Sequence, residues 1–139
     1  MGFSPREQYQ ISQMILVASD IERIGDHAEN IIEYQEKIKN KQASISEKGL
    51  AELLKLAEAT IDSIYVSFSV FENEEYSRLP EAEELEKEVD KIQTEIVNSH
   101  IERLRKESCN PAGGVIFTDM ATDLERSSDH AISVARALK

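Results

Sequence analysis

Apolar residues recur at intervals of three and four along most of this chain, a spacing that restricts it to helices packed on one side. From Ile11 the series runs through Met14, Ile15, Ala18, Ile21, Gly25, Ala28 and Ile32. A second series is Leu50, Leu53, Leu54, Ala57, Ile61, Ile64 and Phe68, and a third is Leu85, Val89, Ile92, Ile96 and Leu104. No stretch alternates with a period of two for long enough to make a strand. Punctuation divides the pattern into four helices. Ser4-Pro5-Arg6-Glu7 reads as an N-cap, a proline at the first helical position and the acid that closes a capping box, opening a helix to about Lys39. After a polar loop from Asn40 to Ser46, Ser44 and Glu47 read as a second box, and that helix runs to about Tyr76. Pro80 ends the run and starts a third helix, across a joint short enough to force an antiparallel hairpin. In Cys109-Asn110-Pro111-Ala112-Gly113-Gly114 the asparagine can cap and the proline can open a fourth helix, whose first turns the glycines weaken. The expected fold is all-α, an antiparallel bundle of about four helices in one domain.

Composition narrows the function. The chain has 139 residues, enough for one real core. Its 27 acidic and 16 basic side chains give a net charge of −11, which lacks the basic footprint that nucleic acid or an anionic membrane surface requires. It favours cations, or a partner with a basic face. The single cysteine, Cys109, excludes an internal disulfide and has no Cys or His at metal spacing, so it reads as incidental. No run of about 18 apolar residues occurs, and Met1-Gly2-Phe3 does not open a signal peptide. A start placed directly on a helix cap suits a piece of a longer protein.

The stretch "ASDIERIGDHAENI" at 18–31 returns as "ATDLERSSDHAISV" at 121–134. Ala18, Asp20, Glu22, Arg23, Asp26, His27 and Ala28 match Ala121, Asp123, Glu125, Arg126, Asp129, His130 and Ala131, seven of 14 positions. What recurs is mostly polar, whereas Ile24-Gly25 has become Ser127-Ser128. A duplicated core stripe would keep its apolar residues and let the charges drift. The first and fourth helices therefore read as equivalent members of two three-helix units.

Glu22 and Asp26 lie one helical turn apart, as do Glu125 and Asp129. Like charges at that spacing cost a helix a few tenths of a kcal/mol per pair. An isolated Glu-x-x-x-Asp is ordinarily a solvated face, and Arg23 and Arg126 can form ordinary surface ion pairs. A duplicated one points elsewhere. Two carboxylates at i and i+4 can reach one cation, and two such pairs would supply four oxygens to a hard metal. Gly25 and Ser128 keep the surface beside each pair low. Asp20 and Asp123 sit about 200° around the helix from the Glu, which suits capping or ion pairing better than ligation.

At these residues the chain resembles the PhoU family, whose signature is a Glu/Asp-x-x-x-Asp motif in a "LERIGDHA"-like segment repeated in two three-helix bundles. "DIERIGDHAENI" is a close match, "DLERSSDHA" a less complete one, and the order of helices extends the likeness over the whole chain; it implies that 1–40 is the last helix of a truncated first repeat and 46–139 one complete three-helix repeat. The resemblance implies a non-enzymatic regulatory domain, similar to the PhoU-like region of bacterial sodium/phosphate cotransporter-type proteins. It implies a cytoplasmic position tethered to the inner face of the membrane, with the transporter's membrane domain or another phosphate-signalling protein as partner, and a homo-oligomer as an option. It further implies multinuclear iron or zinc held by Glu22, Asp26, Glu125 and Asp129. Glu86 and Asp90 repeat the spacing in "EKEVD" and rank below them.

Two other readings stand beside this one. The chain can be a metal-free helical interaction module whose acidic faces dock a basic partner. A carboxylate-bridged di-metal enzyme is disfavoured, because such sites add Glu-x-x-His and here the nearest pairing is the off-register Glu22–His27 and Glu125–His130. Each of His27 and His130 points about 100° from its neighbouring Asp, which fits a hydrogen-bonded histidine better than a ligand. His100 receives no function. Tyr65, Phe68 and Phe71 read as core or an interface stripe.

Overall fold

The computed structural model of the chain describes residues 2–106 and 110–139, so Cys109 and the reading given to it lie outside the described residues. Four helices follow in order: α1 Pro5–Lys39, α2 Glu47–Asn73, α3 Leu79–Arg105 and α4 Pro111–Arg136, with a 3-10 turn at Tyr76–Arg78 before α3. The all-α expectation holds. Ser4 accepts from the Glu7 N–H while the Glu7 carboxylate accepts from the Ser4 N–H, completing the box. Lys37 and Lys39 in the last turn complement the dipole of this long helix.

Two boundaries differ from expectation. The cap of α2 is Ser46, whose hydroxyl accepts from Gly49 N–H, rather than Ser44. Ser44 is needed elsewhere: its backbone lies so close to Gly113 that a Cβ there would sit 1.7 Å from the Ser44 carbonyl oxygen. The glycine that seemed to weaken the start of α4 instead admits the loop. Asn110 caps the helix through Gly113 N–H at 2.8 Å, and Pro111 opens it. At its other end α2 stops at Asn73, because Glu74 turns left-handed (φ 53°) and closes the helix onto Val70 O.

The central helix is α4. Fourteen of its residues are buried, against two in α1 (Val17 and Asp20). One core cluster gathers Leu53 and Leu56 of α2, Val89, Ile92 and Ile96 of α3, and Ile116, Phe117 and Ala121 of α4. Another joins Val66, Val70, Leu79, Ala82, Ile132 and Ala135 at the opposite end. Between them Ser63 and Ser128, both fully buried, hydrogen-bond at 2.8 Å and let α2 and α4 approach closely. His100, also buried, stacks on Phe117 at 4.7 Å, and desolvation followed by the nearby Arg103 cation lowers its pKa.

The expected core stripe of α1 is overturned. Ile11, Met14, Ile15, Ile21 and Ile32 are 41 to 66% exposed. The opposite face meets α4. Val17 packs against Val134 and Ala137, and Gln13 Nε2 donates to Ala137 O at 2.7 Å. A period of three and four defines a face, but it cannot say which face of a two-faced helix receives the neighbour. On α2, likewise, Leu50, Leu54, Ile61 and Tyr65 are exposed, while Phe68 and Phe71 pack partly buried against the Val17 cluster.

Candidate metal centre

Helices α3 and α4 lie side by side, and each presents an i, i+4 pair of carboxylates toward the other. Glu86 and Asp90 of α3 and Asp129 of α4 each offer an oxygen, and these oxygens all lie within 4.8 Å of one another. Glu125 completes the group, sharing hydrogen bonds with Asp129 and Asp90. Four acids so close cannot all ionise in a partly buried place. Desolvation, then hydrogen bonds to Asp129 and Asp90, push Glu86 up to about 7. Desolvation, then Asp129 and Asp90, push Glu125 up to about 8. A proton retained between two such acids replaces their repulsion with a hydrogen bond.

One oxygen tests whether a cation fits. Asp90 Oδ1 is buried and has no N–H or O–H partner unless a neighbouring carboxyl keeps its proton. A buried acceptor left unsatisfied is costly, and either a proton or a cation relieves it. Oxygens within 4.8 Å of one another can share one ion whose oxygen ligands sit at roughly 2.0–2.6 Å. The residues present fit a hard cation.

The duplicated histidines serve a different purpose. His27 Nδ1–H donates to Asp123 Oδ1 at 2.7 Å, and His130 Nδ1–H donates to Asp20 Oδ1 at 3.0 Å. The two imidazoles stack with centroids 5.6 Å apart. Asn30 Nδ2 adds a longer contact to Asp123 at 3.4 Å. The first copy thus binds the second and the second the first, an approximate two-fold axis running between α1 and α4. Asp20 and Asp123 pair with histidine, as their position on the helix suggested, and His27 and His130 are hydrogen-bonded.

A family model described as the PhoU domain matches residues 3–35 and 53–138, most of the chain. The chain belongs to the PhoU domain family. No curated protein and no solved structure matches it. The two matched segments of this PhoU domain flank the loop between α1 and α2, so the match takes in α1 together with α3, α4 and most of α2.

Of the six carboxylates singled out in the sequence, four converge: Glu86, Asp90, Glu125 and Asp129. Glu22 and Asp26 are exposed on α1 and belong to no group of three potential ligands among the described residues. The partner of the second motif copy is therefore the α3 pair, which ranked lower because "EKEVD" occurs once and carries no repeat signal. The signal available was the short connection between α3 and α4, from Arg105 to Pro111, which keeps the two helices neighbours. In the described residues no helix is long and apolar enough to cross a membrane.

Proposed function

We propose that this PhoU domain is a non-enzymatic regulatory module in the control of phosphate transport, and that Glu86, Asp90, Glu125 and Asp129 hold a metal cation. The observation that carries the cation site is the meeting of oxygens from Glu86, Asp90 and Asp129 within 4.8 Å of one another, with Asp90 Oδ1 buried and reached by no N–H donor. The donors are all oxygen, which favours hard cations, and of the two metals the resemblance implies, ferric iron is harder than zinc. Four carboxylates can support more than one ion. In this reading it acts on a transporter from the cytoplasmic face, through the membrane domain or another phosphate-signalling protein; membership of the family supports the phosphate role alone.

Elemental analysis of protein purified without chelator tests the site. Wild type and Glu22→Gln/Asp26→Asn should carry equal metal, and Asp90→Asn/Asp129→Asn should carry at least tenfold less. Equal metal in all three, or metal lost only from the α1 variant, would remove the α3–α4 site. A second reading, a metal-free module for a basic partner, is favoured by the net charge of −11. Association that falls with salt yet survives chelation would support it.

A further inference from the structure

The net charge of −11 counts against an anionic surface as partner, but the charge is unevenly spread. One end of the bundle gathers the end of α1, the loop to α2, the start of α2, the end of α3 and the start of α4. Two close approaches tie these segments together: Gly113 against the Ser44 backbone, and Gly49 beside the Arg103 guanidinium. Residues 37–48 and 103–106 of this end hold seven of the 16 cations and one of the 27 acids. The far end, where α2 turns into α3 at residues 72–88, holds eight acids against Arg78 and Lys87. Helices of 26 and 27 residues keep the two ends about 40 Å apart.

The arginines of the basic end are neutralised, Arg103 by Glu52 at 2.6 Å and Arg105 by Glu102 at 3.4 Å. The lysines are not. Lys37 lies over the Tyr34 ring, and Lys39, Lys41, Lys48 and Lys106 are exposed with no ion pair among the described residues. Glu36 and Glu47 are the unpaired acids beside them, and Glu107 lies outside the described residues. Apolar side chains stand on the same end. Leu104 in the last turn of α3 is 44% exposed and Val115 near the start of α4 is 62% exposed, and with Pro111 they line one hollow.

This combination decides the partner. A polyanion that offers charge alone makes no use of exposed apolar side chains, whereas the headgroup region of an anionic bilayer takes both. The acids of the far end lie several screening lengths away, each about 8–10 Å at physiological salt, so they do not cancel the attraction. We infer that the basic end docks on an anionic phospholipid surface, with Lys37, Lys39, Lys41, Lys48 and Lys106 meeting headgroup phosphates and Leu104 and Val115 entering between them. The helices then stand on the surface with the acids of 72–88 pointing away. This docking requires neither a cation at α3–α4 nor a role in phosphate transport.

The test is co-sedimentation of the full chain, in EDTA, with vesicles of phosphatidylcholine alone or of phosphatidylcholine and phosphatidylglycerol in equal parts. At low salt the mixed vesicles should bind at least tenfold more tightly, and added salt should release the protein. Lys41→Glu/Lys48→Glu should weaken binding at least tenfold. An acid in the first turn of α2 suits the helix dipole, so the fold should be kept. Lys87→Glu/Lys91→Glu makes the same change in net charge on an exposed face of α3 and should leave binding within twofold. Val115→Ser should weaken binding about threefold with the same salt dependence. Circular dichroism verifies each fold, and Lys39→Gln/Lys106→Gln replaces the first variant if that one unfolds. No preference for the anionic vesicles would overturn the inference, as would equal losses in the two charge-reversed proteins. So would a Val115→Ser protein that binds like wild type, because charge alone would then suffice and any polyanion would serve.

Discussion

His27 reaches Asp123 on α4 at 2.7 Å, and their repeat counterparts His130 and Asp20 make the same bond in reverse at 3.0 Å. Each aspartate is at most 9% exposed and relies on the histidine of the other copy. The seam between α1 and α4 is thus polar at its centre, and each half of the repeat fixes the register of the other.

Removing one partner should therefore cost more than removing both. His27→Leu leaves Asp123 buried with only the 3.4 Å contact from Asn30, a loss of about 1–3 kcal/mol. The double variant His27→Leu/Asp123→Leu should recover part of this, giving a coupling energy of roughly 0.5–3 kcal/mol. Urea denaturation of the four proteins in the cycle measures it. Strictly additive losses would show that the bond contributes no specific stability.

Two glycine substitutions should move stability in opposite directions. A Cβ at Gly25 meets nothing within 4 Å, so Gly25→Ala should stabilise α1 by about 0.5–1 kcal/mol through helix propensity alone. The same propensity gain applies at Gly113, but there the new Cβ would fall 1.7 Å from the Ser44 carbonyl oxygen. Backbone must move, and overpacking of that kind costs about 1–3 kcal/mol. Gly113→Ala should be net destabilising in thermal melts. A rise in Tm would mean that the loop at Ser44 yields freely.

Much of the architecture was legible because local chemistry and tertiary structure agree. Ser4 with Glu7, and Asn110 with Pro111, mark helix starts that the packing preserves. Ser44 was misread because Ser46 competes for the same role and the close approach to Gly113 is a long-range fact. The duplicated motif was visible, but it combines two signals. Asp20, His27, Asp123 and His130 recur because the two copies bond reciprocally, while Glu125 and Asp129 meet acids that stand in neither copy. The exposed face of α1 was beyond reach of periodicity, since Val17, Asp20 and His27 on its other side repeat at nearly the same interval.

The acid cluster sets a pH dependence whose sign is opposite to that of ordinary salt-bridged carboxylates. Glu86 and Glu125 are raised from 4.5 to about 7 and about 8, so the folded state holds protons that the unfolded chain has released. Stability of metal-free protein should fall as pH rises from about 4.5 through about 8. Glu86→Gln/Glu125→Gln should flatten that slope and raise Tm in alkaline buffer, with metal binding lost, as is common where a site is held at the expense of stability. Melts in EDTA at about pH 5.5 and about pH 8.5 compare the two proteins. A wild-type Tm that rises across this interval would contradict the clustered-proton account.

Calorimetric titration of a divalent cation into chelator-stripped protein at neutral pH, repeated in buffers of different ionisation enthalpy, probes the α3–α4 centre most directly. Binding should release roughly one to two protons per site, because the cation takes the place of those on Glu86 and Glu125. Both the heat and the proton release should vanish in Asp90→Asn/Asp129→Asn. No saturable heat in the wild type, or the same heat in that variant, would contradict a cation site between these helices.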